Sequence, residues 1–279
     1  MGEILEMLPL NFHRTFIPER HFIAALIEYA ALERESSLQE ISQETGIPMG
    51  KSTGKLPAIM DYCKGMGLIE LKKSKDKGNK RPVLTPLGKI IYEEDKYLGE
   101  VLSQWLVHIN LCRSDIGARV WHEVFAKGKD ILGVSFTKQQ LSDYLISIFG
   151  VGKDRIGPLI TAYTDDSALG RAKVLTINGD LIVRNKAPIM PSWAIPYSVL
   201  IITLIDKFFP NENQVTITDF NNITHMFSIC SWQEDDIVQL LYYIEAKGLV
   251  AVDRQVKPWI LEKRADAEKM WASIFNDIT

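Results

Sequence analysis

Two short segments carry residue types and spacings suited to chemistry on phosphate. Gly46-Ile47-Pro48-Met49-Gly50-Lys51-Ser52 ends like a nucleotide-binding phosphate loop. That loop needs four residues between its glycines and a strand before it, whereas three residues intervene here and a helix is expected to precede them. The spacing therefore argues against nucleoside-triphosphate hydrolysis. What survives is a flexible, donor-rich stretch, Gly50 to Lys55, running into a helix amino terminus, a geometry that holds a phosphate on backbone N–H groups. Lys51, Ser52, Thr53 and Lys55 are the candidate contacts to a DNA backbone phosphate. The bland alternative is a loop that only joins two helices.

The second segment, Phe12 to His21, holds His13, Arg14, Thr15, Arg20 and His21 ahead of a helix. His13, Arg14, Arg20 and His21 are the candidate catalytic group: two cations to bind an anion and a histidine to act as general base on a phosphodiester. The same residues would serve as a clasp tying the amino-terminal arm to the body through polar contacts, and the clasp is the favoured reading. His108 lies on a strongly apolar helix between Trp105 and Cys112 and reads as a satisfied core histidine. His122 and Glu123 are adjacent on a helix and point to different faces. Cys63, Cys112 and Cys230 are widely spaced among apolar neighbours, which suggests buried thiols rather than a disulfide framework or a zinc site. No nuclease signature is legible. If the chain nicks DNA, a divalent metal, Mg²⁺ or Mn²⁺, would be the expected cofactor, with no ligand set readable from the sequence.

Charge separates one region from the rest. The chain carries 32 basic and 35 acidic side chains, net −3. From Met49 to Arg81 nine basic residues face three acidic ones, +6 within 33 residues, which leaves the other 246 at −9. Lys72, Lys73, Lys75, Lys77, Lys80 and Arg81 crowd the end of that segment. A cationic island on an anionic body suits phosphate at one face only.

The elements that must position these groups follow from periodicity and punctuation. Pro18 to Glu35, Leu38 to Thr45 and a third segment from Leu56 or Pro57 to Lys64 or Met66 read as helices. Leu68 to Lys72 and Pro82 to Thr85 read as strands around a lysine-rich turn, and Pro86 opens another helix. Three helices followed by a hairpin is the order of a winged helix-turn-helix, whose third helix and wing face nucleic acid. Residues 97–170 are helical by periodicity, and strands flank Asn178-Gly179-Asp180 as a hairpin. Helices over Trp193 to Phe209, Thr218 to Ser228 and Gln233 to Lys247, then a further hairpin, repeat the first pattern in outline. There, however, Glu234, Asp235 and Asp236 open the helix that would approach phosphate, so this element is expected to pack on protein.

The expected fold is therefore mainly α with small β-hairpins. It comprises a winged helix-turn-helix DNA-binding domain over residues 1–96, a helical middle region with a β-hairpin over 97–190, and a second winged-helix-like domain over 191–279. The longest apolar runs fall short of a membrane span, and Met1 to Glu6 lacks the basic start of a secretory signal, which points to the cytoplasm and no membrane partner.

One set of residues resembles a known family: His13, Thr15, Phe16 and Arg20; Gly46-Ile47-Pro48 with Gly50-Lys51-Ser52 and Gly54-Lys55; Gly65-Met66-Gly67-Leu68-Ile69; Leu84-Thr85-Pro86-Leu87-Gly88; and Trp105 with His108. The family is bacterial, about this long, and carried as a domain of unknown function. Its genes neighbour reductase-like enzymes similar to phosphoadenosine-phosphosulfate (PAPS) reductase. The resemblance spans mostly residues 11–110. It implies an SspB-like component of an Ssp-type DNA phosphorothioation system, an antiviral defence in which sulfur replaces a non-bridging phosphate oxygen. It further implies a DNA-nicking endonuclease role beside a cysteine desulfurase, an ATPase and the PAPS-reductase-like protein, the nick opening the backbone for sulfur insertion. The expected function is a DNA-binding component of that system; the alternative is a winged-helix transcription regulator or a non-catalytic assembly subunit.

Overall fold

Small polar residues, prolines and glycines set most of the element boundaries. In the computed structural model, which describes residues 7–50, 54–74, 76, 78–153 and 156–278, the chain divides into two units, Met1–Asn185 and Lys186–Thr279. Both are dominated by helix, with small antiparallel sheets. No helix among the described residues is long and apolar enough to cross a membrane.

In the first unit, α1 (Arg20–Ala30) buries Ile23, Ala24, Leu26, Ile27 and Tyr29. Ser37 caps α2 (Leu38–Thr45) through a reciprocal pair with Glu40, and Gly46 ends it in the left-handed region at φ 69°. α3 (Lys55–Gly65) starts ahead of Pro57, which sits in its first turn, where no backbone N–H is needed. β1 (Ile69–Lys72) and β2 (Arg81–Leu84) pair antiparallel, with Lys72 opposite Arg81. Ser36 and Lys80 exchange backbone hydrogen bonds of 3.0 and 2.8 Å, pinning the turn end of this hairpin to the segment between α1 and α2. Thr85 caps α4 (Pro86–Glu94), and Gly88 lies so close to the Leu68 carbonyl that any Cβ would collide with it.

α5 (Val101–Leu111) is buried from Leu102 onward, which is why its apolar residues show so little one-sided periodicity. Its Asn110 donates to the Met66 carbonyl at 3.1 Å, and its packing against α3 keeps residues on both sides of position 96 in one unit. α6 (Arg119–Trp121) runs into a π-helical turn, His122–Lys127, and then α7 (Lys129–Leu132). β3 (Ser135–Thr137) leads directly into α8 (Lys138–Phe149), with Thr137 as its cap. After α9 (Ile156–Thr164), β4 (Leu175–Asn178) and β5 (Leu181–Arg184) form the hairpin expected at Asn178-Gly179-Asp180, with β3 added to give the order β3-β5-β4.

The second unit is built on α10 (Ala194–Phe208), whose buried side chains include Tyr197, Leu200, Ile201 and Ile205. β6 (Gln214–Thr216) precedes α11 (Ile217–Thr224) and α12 (Met226–Ile229). The single helix expected over Thr218 to Ser228 is split because His225 takes a left-handed conformation, φ 53°. α13 (Glu234–Ala246), β7 (Val250–Asp253), β8 (Ile260–Lys263) and α14 (Ala267–Met270) follow, with sheet order β6-β8-β7.

Candidate nucleic-acid interface

The basic residues of the first unit fall into groups with different freedom to meet a phosphate. Lys51, Ser52, Thr53, Lys75 and Lys77 lie outside the described residues. Lys55 is engaged internally: its Nζ pairs with Glu19 Oε2 at 2.9 Å and lies 4.6 Å from the Phe22 ring centroid. The Pro48 carbonyl accepts from the N–H groups of both Lys55 and Leu56, at 3.0 and 3.2 Å, and Pro57 has no N–H. The first-turn donors expected to cradle a phosphate are therefore already used or absent, a change that the fold-back of Pro48 onto α3 produces and spacing alone does not show.

The hairpin is more open. Lys73 is exposed and Lys80 half-buried, with neither in an ion pair among the described residues. Lys72 shares an exposed ion pair with Glu70 at 2.8 Å, and Arg81 is held by the carbonyl and carboxylate of Glu33 at 3.2 and 3.5 Å. Glu35 accepts from Ser74 Oγ and from the Asp76 N–H, fixing the turn. The outward side of α3 presents Pro57, Asp61 and Lys64 at helical spacing, a polar stripe that sequence reasoning passed over although its i, i+4, i+7 pattern was visible.

The four residues read as a catalytic group go to different surroundings. His13 is buried; its Nδ1 accepts from the Thr15 N–H at 3.1 Å, and its ring meets Phe12 and Trp121 edge-on. Arg14 and Thr15 take left-handed backbone conformations, φ 47° and 76°. Arg20 donates to the Asp166 carbonyl through Nε and Nη2, at 3.2 and 2.5 Å, and to the Tyr97 carbonyl at 3.2 Å. Those bonds are the geometry of a clasp. His21 is exposed, with its ring centroid 3.8 Å from that of Phe22 at a tilt of 43° and its Nε2 4.0 Å from Glu19.

A buried polar cluster occupies the middle of the first unit. His108 Nδ1 and the Tyr163 hydroxyl share a 2.6 Å hydrogen bond, with Cys112 Sγ 3.7 Å from the same nitrogen. His122 Nδ1 donates to the Cys112 carbonyl at 2.8 Å, and burial holds its pKa below the ordinary value. Arg184 donates to the carbonyls of Val124 and Phe125 and lies over the Phe125 ring. Burial pulls its pKa down to about 10. The π-helical turn frees those carbonyls for a guanidinium, so the cluster ties α5, α9 and β5 together. Tyr163 and Arg184 carried no sequence signal of this role, because their partners are 55 to 60 residues away.

Among the described residues no three His, Cys, Asp or Glu side chains come together in a way that could hold a metal ion. No curated protein matches the chain. The fold is that of two solved structures. One is described as the SspB crystal structure, with a TM-score of 0.70 and 16% identity over 98% of this chain and 88% of that chain. The other is a magnesium ion-bound SspB crystal structure, with a TM-score of 0.69 and 15% identity over 96% and 86%. Residues 13–155, which include His13 and Arg20 of the clasp, α3, the hairpin, and His108, Cys112 and His122 of the buried cluster, match the model of the family described as Protein of unknown function (DUF4007), and the chain belongs to that family.

Proposed function

We propose that this chain is the DNA-binding component of a bacterial DNA phosphorothioation system and works in the cytoplasm. In this reading α1 to α3 with β1 and β2 act as a winged helix, and the second unit is winged-helix-like and packs on protein. The observation that carries the reading is the concentration of basic residues on α3 and its hairpin, within a fold shared with SspB structures over nearly the whole chain. Lys73 and Lys80 are the described side chains most available to phosphate, with Lys72 beside them and Lys51, Ser52, Thr53, Lys75 and Lys77 extending the contact. Phosphate contacts of this kind give binding that weakens steeply with salt and reads little base sequence. Titrating the chain against labelled duplex DNA at rising salt tests this, and a flat salt response would overturn it.

Nicking belongs to the same proposal, with the PAPS-reductase-like protein, a cysteine desulfurase and an ATPase as partners. Among the described residues no donor group converges to hold a metal for that chemistry. His13 is the histidine nearest to a base role in chemistry, but its burial and its bond from the Thr15 N–H favour the clasp. Supercoiled plasmid incubated with the protein, with and without Mg²⁺ or Mn²⁺, separates the possibilities: open circles support nicking, and closed circles throughout leave a binding module.

A non-catalytic assembly role is favoured by one feature of the second unit. α13 exposes Val238 and Tyr242, at 42% and 69%, beyond the acidic start formed by Glu234 and Asp235. Tight association with the reductase-like partner without DNA affinity would establish that role instead.

A further inference from the structure

Two carboxylates from the segment between α1 and α2 lie against the cationic hairpin. Glu33 accepts from Arg81 through its carbonyl at 3.2 Å and through its carboxylate at 3.5 Å. Glu35 Oε1 accepts from Ser74 Oγ at 2.5 Å and from the Asp76 N–H at 3.0 Å. Between them Arg34 turns the other way, pairing with Glu44 of α2 at 3.0 Å and lying over the Tyr29 ring. Successive side chains of extended backbone take opposite sides, and here the alternation gives both acids to the hairpin. Ser36 extends the grip to the main chain through its two bonds with Lys80. The segment is itself fixed: Tyr29, buried on α1, donates to Ser36 Oγ at 2.7 Å, and Ser37 caps α2. β1 and β2 are four residues each, and a two-stranded hairpin is marginally stable in water by itself, so its turn end is held from outside. On electrostatic grounds alone, acids are the wrong residues to place beside a surface meant for phosphate. What Glu35 supplies is an acceptor at a fixed position.

We propose that Glu33, Glu35 and Ser36 form a strap that holds the hairpin ready to present Lys73 and Lys80 to DNA, with Glu35 as a positioning residue that acts through its acceptor oxygen rather than its charge. The inference rests on the DNA-binding reading above and adds to it the element that fixes the contact residues. Lys73 adjoins Ser74, which Glu35 bonds, and Lys80 is bonded by Ser36 through its backbone. None of these bonds uses either ammonium group. A turn already ordered in the free protein does not have to be ordered again on binding, and the freedom it has lost is no longer a cost to affinity.

The test is anisotropy of a fluorescein-labelled duplex titrated with the full chain at several salt concentrations. Glu35→Ala removes a negative charge, which by itself would strengthen binding. It is expected instead to weaken binding about fivefold, because the freed turn must be ordered again on DNA. The slope of log affinity against log salt should flatten by about 0.9, the share of one phosphate contact, as Lys73 is released while Ser36 still holds Lys80. Glu35→Gln removes the same charge but keeps an oxygen for Ser74 Oγ and the Asp76 N–H, and should bind at least as tightly as the wild type. A pure charge effect would move the two variants alike. Ser74→Ala deletes one of the two bonds with no change of charge and should weaken binding in the same direction as Glu35→Ala. Circular dichroism confirms the fold of each variant, and where Glu35→Ala does not fold, Ser74→Ala decides in its place. The strap is overturned, with the DNA-binding reading intact, if the deciding variant binds as tightly as the wild type, or if Glu35→Gln weakens binding as much as Glu35→Ala. If the wild type has no affinity for duplex at low salt, the DNA-binding reading fails and the strap falls with it.

Discussion

The structure ranks basic residues that composition treats as equal, and the ranking can be measured as a salt slope. Lys73 and Lys80 are free of ion pairs among the described residues, whereas Lys55 is committed to Glu19 and two aromatic rings, and Arg81 to Glu33. Each phosphate neutralised contributes about 0.9 to the slope of log affinity against log salt, so Lys73→Ala with Lys80→Ala should flatten the slope by about 1.8. Between about 50 and 200 mM salt, a fourfold change, the double variant should therefore lose about twelvefold less affinity than the wild type loses. Lys55→Ala should leave the slope within about 0.3 of wild type and instead cost about 1–2 kcal/mol of stability, because it strands Glu19 and removes a cation from the faces of Phe16 and Phe22. Anisotropy titrations at several salt concentrations, with urea unfolding of the same preparations, read both quantities. An unchanged slope in the Lys73, Lys80 variant, or a Lys55 variant that flattens the slope as much, would refute the assignment of free and committed cations.

Other perturbations probe the clasp, the hairpin junction and the buried cluster. Arg20→Ala should lower stability by about 2 kcal/mol in urea unfolding, since it removes charge-assisted bonds to carbonyls that are partly open to solvent, while duplex affinity well below the transition stays near wild type. A folded Arg20→Ala protein of unchanged stability would leave the clasp without support. Gly88→Ala drives a methyl group into the Leu68 carbonyl, which also accepts from the Thr85 N–H at 3.1 Å, and should cost about 3 kcal/mol or prevent folding. His122 is held neutral in the folded chain, with its pKa below the ordinary 6.5. The unfolded chain takes up a proton near that value and the folded chain does not, so its contribution is full above the ordinary value and is lost as pH falls toward the folded one. His122→Asn keeps a donor for the Cys112 carbonyl, and its unfolding free energy should fall less steeply below about pH 6.5 than that of the wild type.

What the sequence makes legible here is what neighbouring residues decide among themselves. Ser37 with Glu40 and Thr137 with Gln140 are capping pairs three residues apart, and Gly46, Pro86 and Asn178-Gly179-Asp180 act within a turn. Each can be read without knowing what packs above it. β3 and β6 are three-residue strands whose last residue is already a helix cap, so they carry no alternation to detect and exist only because β5 and β8 pair with them. The break at His225 is local but unsignalled: Asn221 Oδ1 accepts from the Phe227 N–H at 3.1 Å, and the helix turns away on a residue whose type gives no stop signal.

The same division governs the candidate interface, with a sharper consequence. A count of +6 between Met49 and Arg81 is a sum over residues, and it is silent on which charges are already answered from elsewhere in the chain. Glu19 reaches Lys55 from 36 positions away, Glu33 reaches Arg81 from 48, and the carbonyl of Asp166 reaches Arg20 from 146. Two of the basic residues and one of the catalytic candidates are thereby turned from ligands into struts. Within the stretch itself, Asp61 lies 3.9 Å from Lys64 and partly answers a third basic residue. On the proposed DNA-binding reading, affinity for phosphate is set by the cations left over after folding rather than by those encoded. An affinity that tracked encoded charge instead, with Lys55, Arg81, Lys73 and Lys80 contributing alike, would mean that DNA breaks these internal pairs on binding, each at the cost of an ion pair partly withdrawn from water.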